Sequence, residues 1–159
     1  MTNKEASELQ ETRLAKILGW RRVSGSGARS NYPGDIESDQ YLGECKTHTA
    51  AIRTITFVKG VWDKIRDEAA SRFKNPVLLV DDGTQSPLGT WCLLATTDLC
   101  DVVVVDFPFG IGKNISFSAR ELKDRLVEGR TMFKVSGWAA SDVYVMRFED
   151  FMNSLKGEL

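Results

Sequence analysis

With 159 residues the chain is long enough for one domain with its own core. Its 42% hydrophobic and 27% charged residues exclude a disordered tail and a membrane-embedded class, and no apolar run approaches the roughly 20 residues that span a bilayer. The net charge of -1 hides a tilt: residues 1–74 carry 13 Lys+Arg against 10 Asp+Glu, and residues 75–159 carry 8 against 12. A nucleic-acid surface would therefore fall in the first half, with chance as the plain alternative.

The start Met1-Thr2-Asn3-Lys4-Glu5 has no apolar segment of the secretory kind, so an intracellular, cytoplasmic location is expected. Residues 2–18 carry helical signals. Thr2-x-x-Glu5 resembles a capping box, Leu9, Leu14, Ile17 and Leu18 give an apolar face, and Gly19 is a stop. Trp20 to Val23 begins an extended segment, and Ser24 to Asn31 is a Ser/Gly-rich loop. Gly34 to Glu37 and Tyr41 to Thr47 are expected as paired strands joined by the turn Ser38-Asp39-Gln40.

Phe57 to Phe73 is expected as an amphipathic helix with Val58, Val61, Trp62, Ile65, Ala69 and Phe73 as its stripe, ended by Asn75-Pro76. Val77 to Val80 is a buried-type strand followed by the turn Asp81-Asp82-Gly83, and Trp91 to Thr96 and Val102 to Phe107 are further strands. Ser118-x-x-Glu121 opens a helix to about Glu128. Val143 to Phe148 and Glu149 to Leu155 close the chain as strand and helix. The order implies an α/β or α+β layer fold in a single domain spanning 1–159.

Chemistry concentrates between Pro33 and Lys46. Pro33-Gly34-Asp35 is followed, nine residues after the aspartate, by Glu44-Cys45-Lys46. On a strand Glu44 and Lys46 share one face and Cys45 takes the other, with Asp35 brought near by the turn. Hard carboxylate oxygens suit Mg²⁺, with Mn²⁺ as a substitute, and the lysine can orient an attacking water and stabilise charge on a phosphate. The simpler account of Asp35, Glu44 and Lys46 is three solvated charges on a strand edge.

Other features narrow the classes. His48 stands alone, which argues against chemistry needing two histidines, and no G-x-S-x-G elbow is present. Cys45, Cys92 and Cys100 lack zinc spacing and are expected as thiols. Gly110 to Asn114 lacks the Gly and Ser/Thr of a Walker A, and Asp81-Asp82-Gly83 has the pattern of a turn. Trp20, Trp62, Trp91 and Trp138 are expected in core or interface packing.

In order along residues 8–82, the chain has Glu11, then Leu14, Ile17, Leu18, Gly19 and Trp20, the Ser24 to Gly27 loop, Asp35, Glu44-Cys45-Lys46, an amphipathic helix and an apolar strand. This ordered set resembles the PD-(D/E)XK nuclease superfamily, and within it the Holliday junction resolvases of archaea and phages. Gly34 stands where the family motif has proline, with Pro33 one residue earlier. Residues 85–159 match no motif of the family and form a C-terminal elaboration.

The resemblance implies a restriction-endonuclease-like core with a central mixed sheet flanked by helices. It also implies a homodimer and Mg²⁺-dependent nicking of opposed strands in branched DNA such as a four-way junction, in a bacterial or phage-infected cell. Glu11 becomes the third acid, with Glu8 as its competitor on the same helix. Metal ligands would be Glu11, Asp35, Glu44 and the Cys45 backbone carbonyl, with Lys46 catalytic. Arg21, Arg22 and Arg29 around the loop, with Ser26 and Ser30, His48 beside the motif, and Lys59 and Lys64 on the following helix, become DNA contacts; a solvated surface is the alternative for each. Two rival functions remain: a restriction- or repair-type nuclease on duplex or single-stranded DNA, and a non-catalytic DNA-binding protein.

Overall fold

A computed structural model describes residues 1–23 and 34–155. The chain starts with helix α1 (Asn3–Leu18). Thr2 accepts from the Glu5 N–H at 3.1 Å while Glu5 accepts from the Thr2 N–H at 2.9 Å, so the expected capping box is present. Gly19 ends the helix at φ 73°, a left-handed cap that its missing Cβ permits. The buried face is not the expected one. Ala6, Gln10, Glu11, Leu14 and Ala15 are buried, whereas Leu9 and Ile17 are exposed. Two polar residues on the covered stripe displace two leucine-class residues from it, which local hydrophobicity does not foretell.

Short strands β1 (Arg21–Arg22) and β2 (Ile36–Glu37) lead to β3 (Tyr41–Lys46). The hairpin of β2 and β3 is antiparallel with Ile36 opposite Gly43, as the polar turn predicts. The helix expected over Phe57 to Phe73 is present, two residues shorter at each end. Thr54–Phe57 is strand β4, and α2 runs only over Lys59–Ser71. Ile55 and Phe57 alternate inward with no exposure, so period-two burial assigns Phe57 to the strand rather than to the start of the helix. Val58 is the exposed residue before the helix, and Phe73 has φ 58° and is 97% exposed, so neither belongs to the stripe. Trp62, Ile65 and Ala69 carry it, each large one contributing roughly 1.5–3 kcal/mol by burial.

Strand β5 (Asn75–Asp81) is longer than expected and contains Pro76. Pairing with β6 (Thr90–Leu94) stops at Val77, so Pro76 needs no donor on that side. Then follow β7 (Val102–Asp106), β8 (Ile115–Ser118), α3 (Ala119–Lys123), β9 (Arg130–Val135), β10 (Val143–Arg147) and α4 (Phe148–Leu155). The helix expected from Ser118 to Glu128 is only the five residues of α3, although Ser118 does cap it through the Glu121 N–H at 3.3 Å. Strands β8 and β9 carry signals too short for the sequence to separate from loops.

The architecture is α+β. Among the described residues the main sheet is mixed and eight-stranded, in the order β1-β2-β3-β5-β6-β10-β9-β7, with β4 and β8 paired as a separate ribbon. Pairs β3/β5 and β7/β9 are parallel. One sheet face packs on α2 and the ribbon through Trp62, Ile65, Phe57 and Phe117. The other packs on α1 and α4 through Leu14, Ala15, Phe148 and Phe151. Residues beyond 85 supply four of the eight strands and one flanking helix, and they share both cores with the first half. Trp62, Trp91 and Trp138 are buried, as packing predicts. Among the described residues no helix is long and apolar enough to cross a membrane.

Candidate active site at an open strand edge

Because β2 spans only two residues, it covers β3 no further than Gly43. The edge of β3 from Glu44 to Lys46 therefore lies beyond its pairing. Asp35 takes the place of the missing strand: its Oδ2 accepts the Cys45 N–H at 2.8 Å, while its own N–H donates to the Gly43 carbonyl at 2.8 Å. This continues the sheet's hydrogen bonding with a side chain and leaves a carboxylate at the edge.

Gly34 sets the approach to Asp35. It adopts φ 65°, which proline cannot, and a Cβ there would lie 2.8 Å from the Leu42 side chain. Glycine at position 34 is thus a geometric requirement of this chain. The Gly34 N–H also donates to Glu68 on α2 at 2.8 Å, tying the turn to the helix.

Alternation places Glu44 and Lys46 on the α2 face, paired at 3.2 Å, and Cys45 on the α1 face inside the core. The Cys45 thiol is raised well above its usual value by burial and then by Asp35, Glu11 and Glu44, which suits packing and not reactivity. Glu11 reaches the same corner from α1. It is buried, pairs with Arg22 at 2.8 Å and shares a hydrogen bond with Asp35. Glu8 is exposed, so the helix acid in this corner is Glu11.

The electrostatics follow from crowding. Burial, and next the Asp35 charge, raise the Glu11 carboxyl from 4.5 to about 7 against the pull of Arg22. Burial and Asp35 also raise Glu44, opposed by Lys46 and Lys64. Asp35 is thus the common neighbour of both glutamates. Among the described residues no three His, Cys, Asp or Glu side chains form a ready-made metal cluster; Glu11 is paired with Arg22 and Glu44 with Lys46. The donor chemistry nevertheless suits a hard divalent cation: Asp35 lies between two carboxylates, Glu11 and Glu44, each of which it helps to raise.

The remaining expected residues separate into groups. Lys64 acts on Glu44 electrostatically and pairs with Glu68 at 3.7 Å, so it faces the corner. Arg22 is engaged with Glu11. Arg21 is held by Glu37 at 3.4 Å and Asp39 at 3.5 Å. His48 is exposed just past β3. Lys59 lies on Asp63 at 2.9 Å and 5.9 Å from the Trp138 ring, a different surface of α2. Ser26, Arg29 and Ser30 lie outside the described residues.

Gln10 is a neighbour that the sequence reading does not include. Gln10, only 2% exposed, donates from Nε2 to the Lys46 carbonyl at 2.7 Å, and among the described residues its Oε1 has no hydrogen-bond partner. Its place between Ala6 and Leu14 at four-residue spacing is the signal that marks it as buried. Thr47 donates to Asp81 at 2.6 Å, which anchors the strand just beyond Lys46.

The chain matches no protein-family model, no curated protein and no solved structure. A functional interpretation therefore rests on the ordered motif residues and on this corner.

Proposed function

We propose that the chain is a metal-dependent DNA endonuclease of the restriction-endonuclease-like type, a Holliday junction resolvase that acts as a homodimer on branched DNA. The observation that carries this is the gathering of Glu11, Asp35, Glu44 and Lys46, from a helix, a turn and a strand, at one uncovered edge of the sheet. Like charges buried together without a cation are costly, and a site of this kind is where function repays that cost.

Asp35, Glu44 and Glu11 would hold Mg²⁺ or Mn²⁺, together with the Cys45 carbonyl, which backbone alternation sends to the same edge as its N–H. Such an ion supplies Lewis-acid neutralisation of the phosphate charge when bound. The rest falls to the chain. The Lys46 ammonium, half-exposed beside Glu44, donates to a phosphate oxygen and orients the attacking water. The Glu11 carboxyl, raised to about 7 by burial and then by the Asp35 charge, holds its proton up to near-neutral pH and would release it as the carboxylates are engaged. Water attacks phosphorus in line, leaving 5′-phosphate and 3′-hydroxyl ends. Lys64, facing Glu44 from α2, extends the positive rim toward the DNA backbone.

Support for a second copy comes from the opposite end of the sheet. β7 is the last strand, and its Val103 and Val104 are 41% and 43% exposed. Unprotected β-branched edges of this kind invite strand pairing.

The test is cleavage of an end-labelled four-way junction and a matched linear duplex, in Mg²⁺ or EDTA, by wild type and Glu44→Ala. Paired symmetric nicks near the branch, dependent on Mg²⁺ and lost in the variant, are expected. Cutting of linear duplex alone would move the protein to a restriction- or repair-type nuclease. Tight junction binding with no cutting would remove the catalytic claim.

A further inference from the structure

A cavity of about 260 Å³ opens directly beside Lys46. Lys46 and His48 form one wall, at the end of β3. Thr54 and Thr56 of β4 form another, turned away from the core because Ile55 and Phe57 alternate into it. Val61 of α2 and Val80 of β5 line it with aliphatic surface. The site described above uses Lys46 and leaves this space unassigned.

We propose that this cavity receives a single unstacked nucleobase beside the phosphate that is cut, and that this is how branched DNA is chosen over duplex. The inference rests on the nuclease function proposed above. Four properties single out this occupant. A ligand whose phosphate sits on Lys46 has its own sugar and base within reach of the same wall. The two basic residues there, Lys46 and His48, complement a phosphodiester. Aliphatic side chains suit the faces of a planar ring, and the threonine hydroxyls suit its polar edges. The volume lies just under the ~300 Å³ at which sites for larger ligands begin, so one ring system fits and a base pair does not. A base must leave the stack to enter, and that is least costly where pairing is already interrupted, as at a branch point. Selectivity for structure then needs no reading of sequence.

The experiment places 2-aminopurine at each position flanking the cut bond of a four-way junction. Fluorescence is followed on binding wild type in EDTA, alongside cleavage of the same DNA in Mg²⁺. One labelled position is expected to brighten on binding, because an aliphatic cavity unstacks the base without quenching it. Val61→Trp and Thr54→Trp, each checked for a wild-type melting curve, fill the cavity from two sides. Each should abolish the brightening and weaken junction binding by about tenfold, the scale of one lost base contact, with duplex binding unchanged. Junction cutting by wild type with no brightening at any flanking position overturns the cavity and leaves the nuclease function standing. Failure of wild type to cut either junction or duplex overturns the nuclease function itself, and the cavity proposal with it.

Discussion

A single buried carboxylate at the end of β5 and a group of three at the edge of the neighbouring β3 are satisfied in opposite ways. Asp81, at the end of β5, is 1% exposed; it accepts from the Thr47 hydroxyl at 2.6 Å and from the Gly83 N–H at 2.8 Å. Burial raises its carboxyl, and those two neutral donors pull it back. Asp35, at the β3 edge, lies instead between two other acids; burial and, after it, the Asp35 charge raise both Glu11 and Glu44. A buried acid met by its own turn is architecture. Acids crowded against one another beside a lysine are an arrangement that helps the fold only when a cation arrives.

That contrast can be broken most directly by Lys46→Ala and Glu44→Ala. Each is expected to lower DNA cutting by about 10²- to 10⁴-fold; in EDTA Glu44→Ala should melt at or above wild type because it relieves the crowding, and Lys46→Ala slightly below because Glu44 loses its partner. Retained cutting, or marked destabilisation, would place these residues in the same class as Asp81.

The next effect is in pH. The Glu11 carboxyl is raised from 4.5 to about 7, so the folded state holds its proton more tightly than the unfolded chain does. That contribution is complete below about pH 4.5 and is lost as pH rises through about 7, on the order of 3 kcal/mol. Metal-free protein should therefore melt higher at pH 5 than at pH 7.5, with Glu11→Gln flattening the difference. A slope of the opposite sign, or one unchanged in the variant, would remove Glu11 from the crowded set.

Asp81→Ala should cost about 1–3 kcal/mol in chemical denaturation, because Thr47 and Gly83 lose a buried acceptor. The folded variant should still cut DNA. Thr47→Val, which removes one donor and keeps the side-chain size, should cost about 1 kcal/mol. Loss of cutting at full stability in either variant would join the two corners into one site.

Much of this was legible along the chain. The Thr2 capping box, the Gly19 stop, the hairpin turn at Ser38 to Gln40 and the opposite facing of Glu44 and Cys45 all follow from steric or hydrogen-bonding rules acting within a few residues. The apolar run of β5 and the short motif to its N-terminal side were visible for the same reason. Tertiary structure alone decided the rest. Phe57 belongs to a ribbon with β8, a partner nearly sixty residues away, and burial against it outweighs the local helical pattern. Gln10 and Glu11 are covered while Leu9 is not, because packing of α1 on β3 selects the face. Whether Asp35 meets Glu44 depends on β2 stopping after two residues and on the left-handed Gly34, neither of which spacing can specify. Local rules act between neighbours in sequence, whereas the convergence of four charges on one edge depends on where distant segments pack.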